Sequence, residues 1–132
     1  MRSMVFDSYA ILKFSQDEDG ADKVEQLLVS AQHGSLKVYM SEINVGEVYY
    51  KTIRRLGLES AKYYLEQLLA LPIEIISPSS EIIRKASEIK AQYAISYADC
   101  FAAATALMLS ASIVTGDPEF RKVEELVTIE WV

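Results

Sequence analysis

The sequence predicts a doubly wound α/β domain, a parallel sheet of about five strands with helices on both faces. Three observations carry it. Short apolar runs alternate with amphipathic stretches of helical period along the whole chain. The first run, Met4-Val5-Phe6, has no polar alternation, as expected of a strand covered on both faces, and parallel sheets are built from such strands. A length of 132 residues with a hydrophobic share of 51% suits one domain with a sizeable core, so residues 1–132 are read as a single domain.

The first run stops at Asp7-Ser8, and a helix begins at once with Tyr9-Ala10-Ile11-Leu12. In open α/β sheets ligands sit beyond the carboxyl ends of the strands, where the strand order reverses, so Asp7 is placed to face a site; capping of the next turn explains it equally well. Gly20 to Gly34 carries Val24, Leu27, Leu28 and Ala31 at helical spacing, with His33-Gly34 as its stop. Leu36 to Met40 is a second strand. Ser41 then caps a helix to about Arg55, before Gly57, with Val45, Val48, Tyr49, Ile53 and Leu56 on its apolar side. Its polar stripe is Asn44, Glu47, Lys51 and Arg54. Periodicity makes Glu47 and Lys51 an ordinary surface pair; the functional alternative has the stripe lining a cleft.

Leu58 to Leu71 is a further amphipathic helix, closed by Pro72, and Ile73 to Ile76 is the third strand. Pro78-Ser79-Ser80 starts a helix that runs through Tyr93. The adjacent tyrosines at 49–50 and 63–64 exceed what one helix face buries, which leaves core packing or a protein interface for the surplus. In the stretch Ile95 to Leu107, Ser96 and Asp99 stand at capping-box spacing, and Ala102, Ala103 and Ala106 share a face with Asp99. Small side chains there let the helix lie close to its neighbours and hold Asp99 in a cleft. Ala111 to Thr115 is the fourth strand. Asp117-Pro118 is a good helix start, followed by Phe120, Val123 and Leu126, and Thr128 to Val132 is the last strand. Crossovers between such strands are right-handed.

Composition removes several classes of function. Cys100 is the only cysteine, so there is no internal disulfide and no multi-cysteine metal site. His33, the only histidine, falls at a helix end, which argues against a Ser-His or Cys-His pair. The glycines never cluster into a phosphate-binding loop, so no nucleotide cofactor is expected. No apolar segment is long enough for a membrane span or a secretory signal, and a cytoplasmic location is expected. A net charge of −6 opposes a nucleic-acid partner unless bound cations or a local basic patch reverse the sign.

Each acid taken alone has an ordinary explanation; their placement together does not. Asp7 and Asp117 end strands, while Glu47 and Asp99 lie in the first two turns of helices leaving the same edge. Two unit charges about 4 Å apart at an effective dielectric of about 20 repel by roughly 4 kcal/mol, and a hard divalent cation resolves such crowding. Magnesium or manganese takes oxygen ligands and bridges carboxylates to phosphate, so the acids imply phosphoryl chemistry.

These residues also resemble a known family, the PIN-domain ribonucleases, and in size and motif spelling the VapC-type toxins of toxin–antitoxin pairs. Phe6-Asp7-Ser8 matches its strand ending in Asp-Ser/Thr, and Ser41 through Glu47 its helical Glu after a Ser-led turn. Ser96, Asp99 and Ala104-Thr105-Ala106-Leu107 match its third motif, and Thr115, Asp117 and Phe120 its fourth. Tyr9 is bulkier than the residue usual after Asp-Ser, and Pro118 stiffens the turn after Asp117.

The resemblance implies strand order 3-2-1-4-5 and hydrolysis of an RNA phosphodiester with one or two Mg²⁺ or Mn²⁺ ions. It implies Asp7 and Asp99 as principal ligands, Asp117 as a second or water-mediated ligand, and Glu47 as a ligand or a positioner of the attacking water. Ser8 and Thr115 would orient carboxylates or bond a phosphate oxygen, and Lys51, Arg54 and Arg55 would draw in RNA. A homodimer and a small antitoxin whose tail covers the cleft are further implications. Two alternatives stay open: a catalytically silent scaffold of the same fold that binds RNA or protein, and a receiver-like Mg²⁺-binding signalling domain. The second lacks an acceptor Asp after the third strand, where Ile76-Ser77 stands.

Overall fold

A computed structural model describes all 132 residues. Its centre is a five-stranded parallel sheet in the order β3-β2-β1-β4-β5. The strands are β1 (Arg2–Phe6), β2 (Leu36–Ser41), β3 (Glu74–Ile76), β4 (Ser112–Thr115) and β5 (Ile129–Trp131). Helices α1 (Ser8–Ser15) and α2 (Ala21–Gln32) link β1 to β2, and α3 (Glu42–Leu56) and α4 (Leu58–Leu69) link β2 to β3. The chain then crosses back over β1 and β2 through α5 (Ser80–Gln92) and α6 (Tyr97–Met108), and a 3-10 turn, Pro118–Val123, leads from β4 towards β5. Both the alternation and the strand order agree with the expectation.

Side-chain alternation along β1 explains why the core has two halves. Met4 and Phe6 point into a cluster with Ala10, Val24, Leu28, Met40, Val45, Val48 and Leu68, beneath α1 to α4. Val5 points the other way, into a cluster with Ile82, Ala86, Phe101, Ala103, Ile113 and Phe120, beneath α5 and α6. The buried stretch of β1, Met4–Phe6, carries no polar residue, and Asp7 follows directly after it. Each large apolar side chain buried this way contributes roughly 1.5–3 kcal/mol relative to its exposed state.

Helix α6 is the most deeply buried, with every residue from Asp99 to Ala106 inaccessible or nearly so. Its Ala102, Ala103, Ala104 and Ala106 bring the helix axis close to the sheet, as the small residues foretell. Helix α3 departs from expectation. Its buried residues are Asn44, Val45, Val48 and Thr52, whereas Leu56 is exposed. The face is turned because Asn44 is drawn inward by a bond from its Nδ2 to the Ala98 carbonyl, 3.1 Å away, and because Thr52 returns its hydroxyl to the Val48 carbonyl. No helix is long and apolar enough to cross a membrane.

Candidate active site

The strand order reverses between β1 and β4, and the acids collect beyond the carboxyl ends of those two strands. A cleft of about 370 Å³ opens there, lined by Asp7, Glu47, Asp99 and Asp117 together with Ser8, Tyr9, Leu12, Lys51, Ser96 and Glu119. Each acid arrives by a different local rule. Asp7 is the N-cap of α1, its Oδ1 accepting the Ala10 N–H at 2.9 Å. Asp99 sits in the first turn of α6, whose N-cap Ser96 accepts the backbone N–H of Asp99 at 3.1 Å. Asp117 caps the 3-10 turn, accepting the Glu119 N–H at 3.0 Å, with Pro118 at its first position. Capping and a place in the cleft are therefore compatible for Asp7 and Asp117, since each carboxylate oxygen has two lone pairs and a cap uses one of them.

Thr115 joins two of these acids. Its hydroxyl donates to Asp7 Oδ2 and accepts the Asp117 backbone N–H at 3.0 Å, so one buried side chain orients Asp7 and sets the turn that carries Asp117. Thr115→Val keeps the shape and removes both bonds. It is expected to cost about 1–3 kcal/mol in denaturant unfolding of the metal-free protein; an unchanged midpoint would remove Thr115 from this role.

Electrostatics mark the cleft as strained in the absence of a cation. Burial pushes the Asp7 carboxyl up to about 7, opposed by its bonds from Thr115 and Ala10 and reinforced by the charges of Asp99 and Asp117. Asp99 is pushed up to about 6, first by burial and then by Asp117 and Glu47, against the lowering effects of Ser96 and Lys51. Glu47 is shielded from water, its Oε2 3.6 Å from the Lys51 ammonium and its Oε1 buried with no hydrogen-bond partner. The four acids line one cleft, yet no three His, Cys, Asp or Glu side chains stand close enough together to form a ready-made metal cage. Asp7 is held by its cap and Thr115, and Glu47 by Lys51. The donor set still fits a hard divalent cation: carboxylate oxygens only, one of them orphaned, on two groups whose ionised forms are opposed by burial and like charge.

Other residues singled out by sequence divide. Ser8 is buried and lines the cleft, and Lys51 lines it as well. Arg54 and Arg55 are exposed and do not line it; the Arg54 guanidinium lies 5.0 Å from the centre of the Tyr50 ring. Asn44, placed on the polar stripe by periodicity, is instead fully buried and ties α3, which carries Glu47, to the turn before Asp99. Its Glu47 spacing of one helical turn was the available signal. Tyr9, Leu12 and Glu119 were not picked out as lining residues, and only the bulk of Tyr9 beside Asp7-Ser8 pointed that way.

A parallel sheet with a carboxylate-lined cleft at its switch point defines an α/β protein with the donor set of a divalent-metal site. The PIN domain family model matches residues 4–126, and the chain belongs to that family. Among curated proteins, none matches the sequence significantly. Solved structures resemble it over nearly their full length. The VapBC2 complex of Rickettsia felis bound to a promoter DNA fragment has 18% identity and a TM-score of 0.77, covering 98% of this chain and 98% of that one. DNA-bound VapBC of Salmonella typhimurium has 17% identity and a TM-score of 0.78, covering 99% and 98%. VapC20 of Mycobacterium tuberculosis, described as a toxin that cleaves the sarcin-ricin loop, has 15% identity and a TM-score of 0.72, covering 89% and 92%.

Proposed function

We propose that this protein is a Mg²⁺- or Mn²⁺-dependent endoribonuclease, the toxin of a toxin–antitoxin pair acting in the cytoplasm as a homodimer. The observation that carries the reading is the cleft itself, where Asp7, Glu47, Asp99 and Asp117 meet at the strand-order reversal. Membership of the PIN family and the likeness to VapBC complexes support the nuclease and the cognate antitoxin. The described activity of VapC20 supports RNA as substrate.

In this reading Asp7, Asp99 and Asp117 hold the cation. When bound, it neutralises charge at the scissile phosphate and makes a water acidic enough to attack at neutral pH. Thr115 fixes the Asp7 carboxylate, and Ser8 offers a hydroxyl beside it. Glu47, with its buried and unpartnered Oε1, would serve as a further ligand or position a water. Lys51 supplies the positive charge that an acidic cleft needs to admit a phosphate, with Arg54 and Arg55 further along α3 drawing the strand in. Lys51→Ala is expected to weaken RNA binding across sequences and to reduce the slope of log K against log salt by about 0.7–1. A salt titration with slope and affinity both unchanged would remove Lys51 from the interface.

The test of function is cleavage of a pooled tRNA and ribosomal RNA panel in Mg²⁺, Mn²⁺ or EDTA, with Asp99→Asn as control. Metal-dependent cutting that the variant lacks supports the nuclease. RNA binding without cutting in any metal would favour a silent module.

A further inference from the structure

The acidic cleft has one aromatic wall, and it belongs to a residue that no catalytic role needs. Tyr9, the second residue of α1, is half-buried and lines the cleft beside Leu12. Its ring is held in place. One edge is seated on Gly116, where an added Cβ would lie 2.7 Å from Tyr9 Cε1 and 3.2 Å from Cδ1, so any larger residue there would displace the ring. One helical turn on, the Lys13 ammonium stands 5.3 Å from the ring centre and is itself anchored to the Asp19 carbonyl at 2.6 Å. The exposed tyrosines Tyr50, Tyr63, Tyr64 and Tyr97 do not line the cleft.

A wall of carboxylates repels a phosphate backbone, and in a protein of net charge −6 only Lys51 among the residues lining the cleft offsets it. Stacking on an aromatic ring attracts a nucleic acid without needing opposite charge, and it tolerates any base because every base has a π-face. We propose that Tyr9 is a stacking platform for a nucleobase adjacent to the bond that is cut, held rigid by Gly116 and Lys13. This rests on the reading of the cleft as an RNA-cleaving site.

The experiment uses single-stranded RNA decamers, each carrying one 2-aminopurine at a different position, mixed rapidly with excess protein in Mn²⁺ so that fluorescence is read before cleavage. Wild type and Tyr9→Phe are expected to quench one position strongly. Tyr9→Leu should lose that quenching and bind about 5- to 150-fold more weakly, with cleavage impaired through KM more than kcat. An abasic nucleotide at the same position should cost wild type a similar factor and cost Tyr9→Leu little more. That second measurement needs no variant to show the loss. Cleavage by wild type together with equal quenching and affinity in Tyr9→Leu, or no penalty from the abasic nucleotide, would overturn the platform and leave the nuclease standing. Absence of both cleavage and RNA binding in wild type would overturn the two together.

Discussion

Asp99→Asn is expected to stop RNA cleavage and, without metal, to give a protein that melts higher than wild type. The two effects have one cause. The carboxylate at position 99 is pushed up to about 6 by burial and by Asp117 and Glu47, so its ionised form opposes folding at neutral pH. A rise of about two pKa units corresponds to roughly 3 kcal/mol, and screening by water at the cleft mouth reduces this to about 1–2 kcal/mol. An amide of the same shape removes that cost. The cap of α6 survives, because Ser96 accepts the backbone N–H of residue 99. For a domain of this size the gain amounts to a few degrees in Tm. Loss of the charge removes a ligand from the proposed cation site, and a fall of more than about 100-fold in cleavage is expected, beyond what losing an outer partner of a metal ligand costs. A variant that cuts normally would remove Asp99 from catalysis. One that melts lower would show that its charge is already compensated in the metal-free protein.

The metal-free protein is also expected to become more stable as pH falls from 8 to about 5, opposite to the trend for carboxylates held in ion pairs. The sign follows from the direction of the shifts. Asp7 is raised from 3.8 to about 7 and Asp99 from 3.8 to about 6, so between these values the folded state binds protons that the unfolded chain has released. Their stabilising contribution is complete below about pH 4 and is lost as pH rises through 6 and 7. For buried Asp7 alone the span is of order 4 kcal/mol. Saturating Mn²⁺ should reverse the slope, since metal and protons compete for the same oxygens and metal binding adds most at high pH. Thermal unfolding from pH 5 to 8, in EDTA and in Mn²⁺, measures both trends. A flat profile in EDTA, or one that Mn²⁺ leaves alone, would count against a cation site at these acids.

What was legible in the sequence depended on how far each residue's role was local. The bare apolar run of β1, the Ser-led start of α6 and the Asp117-Pro118 turn each state their structure within a few residues, and all three form where they were read, the last as a 3-10 helix that stops at Val123, short of Leu126. The alanines of α6 likewise announce close packing. The face of α3 was not legible, because a partner distant in the chain, the Ala98 carbonyl, decides that Asn44 turns inward. The Thr115 link between Asp7 and Asp117 joins residues 108 positions apart at its longer step, and no local pattern encodes it. Tyr9 is similar: its bulk was visible, but its seat on Gly116 exists only once β1 and β4 are neighbours.

The lone thiol in the chain offers a clock for the motion that would dismantle the cleft. Cys100 follows Asp99 directly, is fully buried, and has its thiol pKa pushed up by that burial. A reagent reaches it only when the packing of α6 against α5 and the sheet opens, and displacing α6 carries Asp99 away from Asp7. The rate of thiol capture under native conditions therefore reports how often this edge of the cleft comes apart, with no substitution introduced. Anything that clamps the acids together should slow that clock.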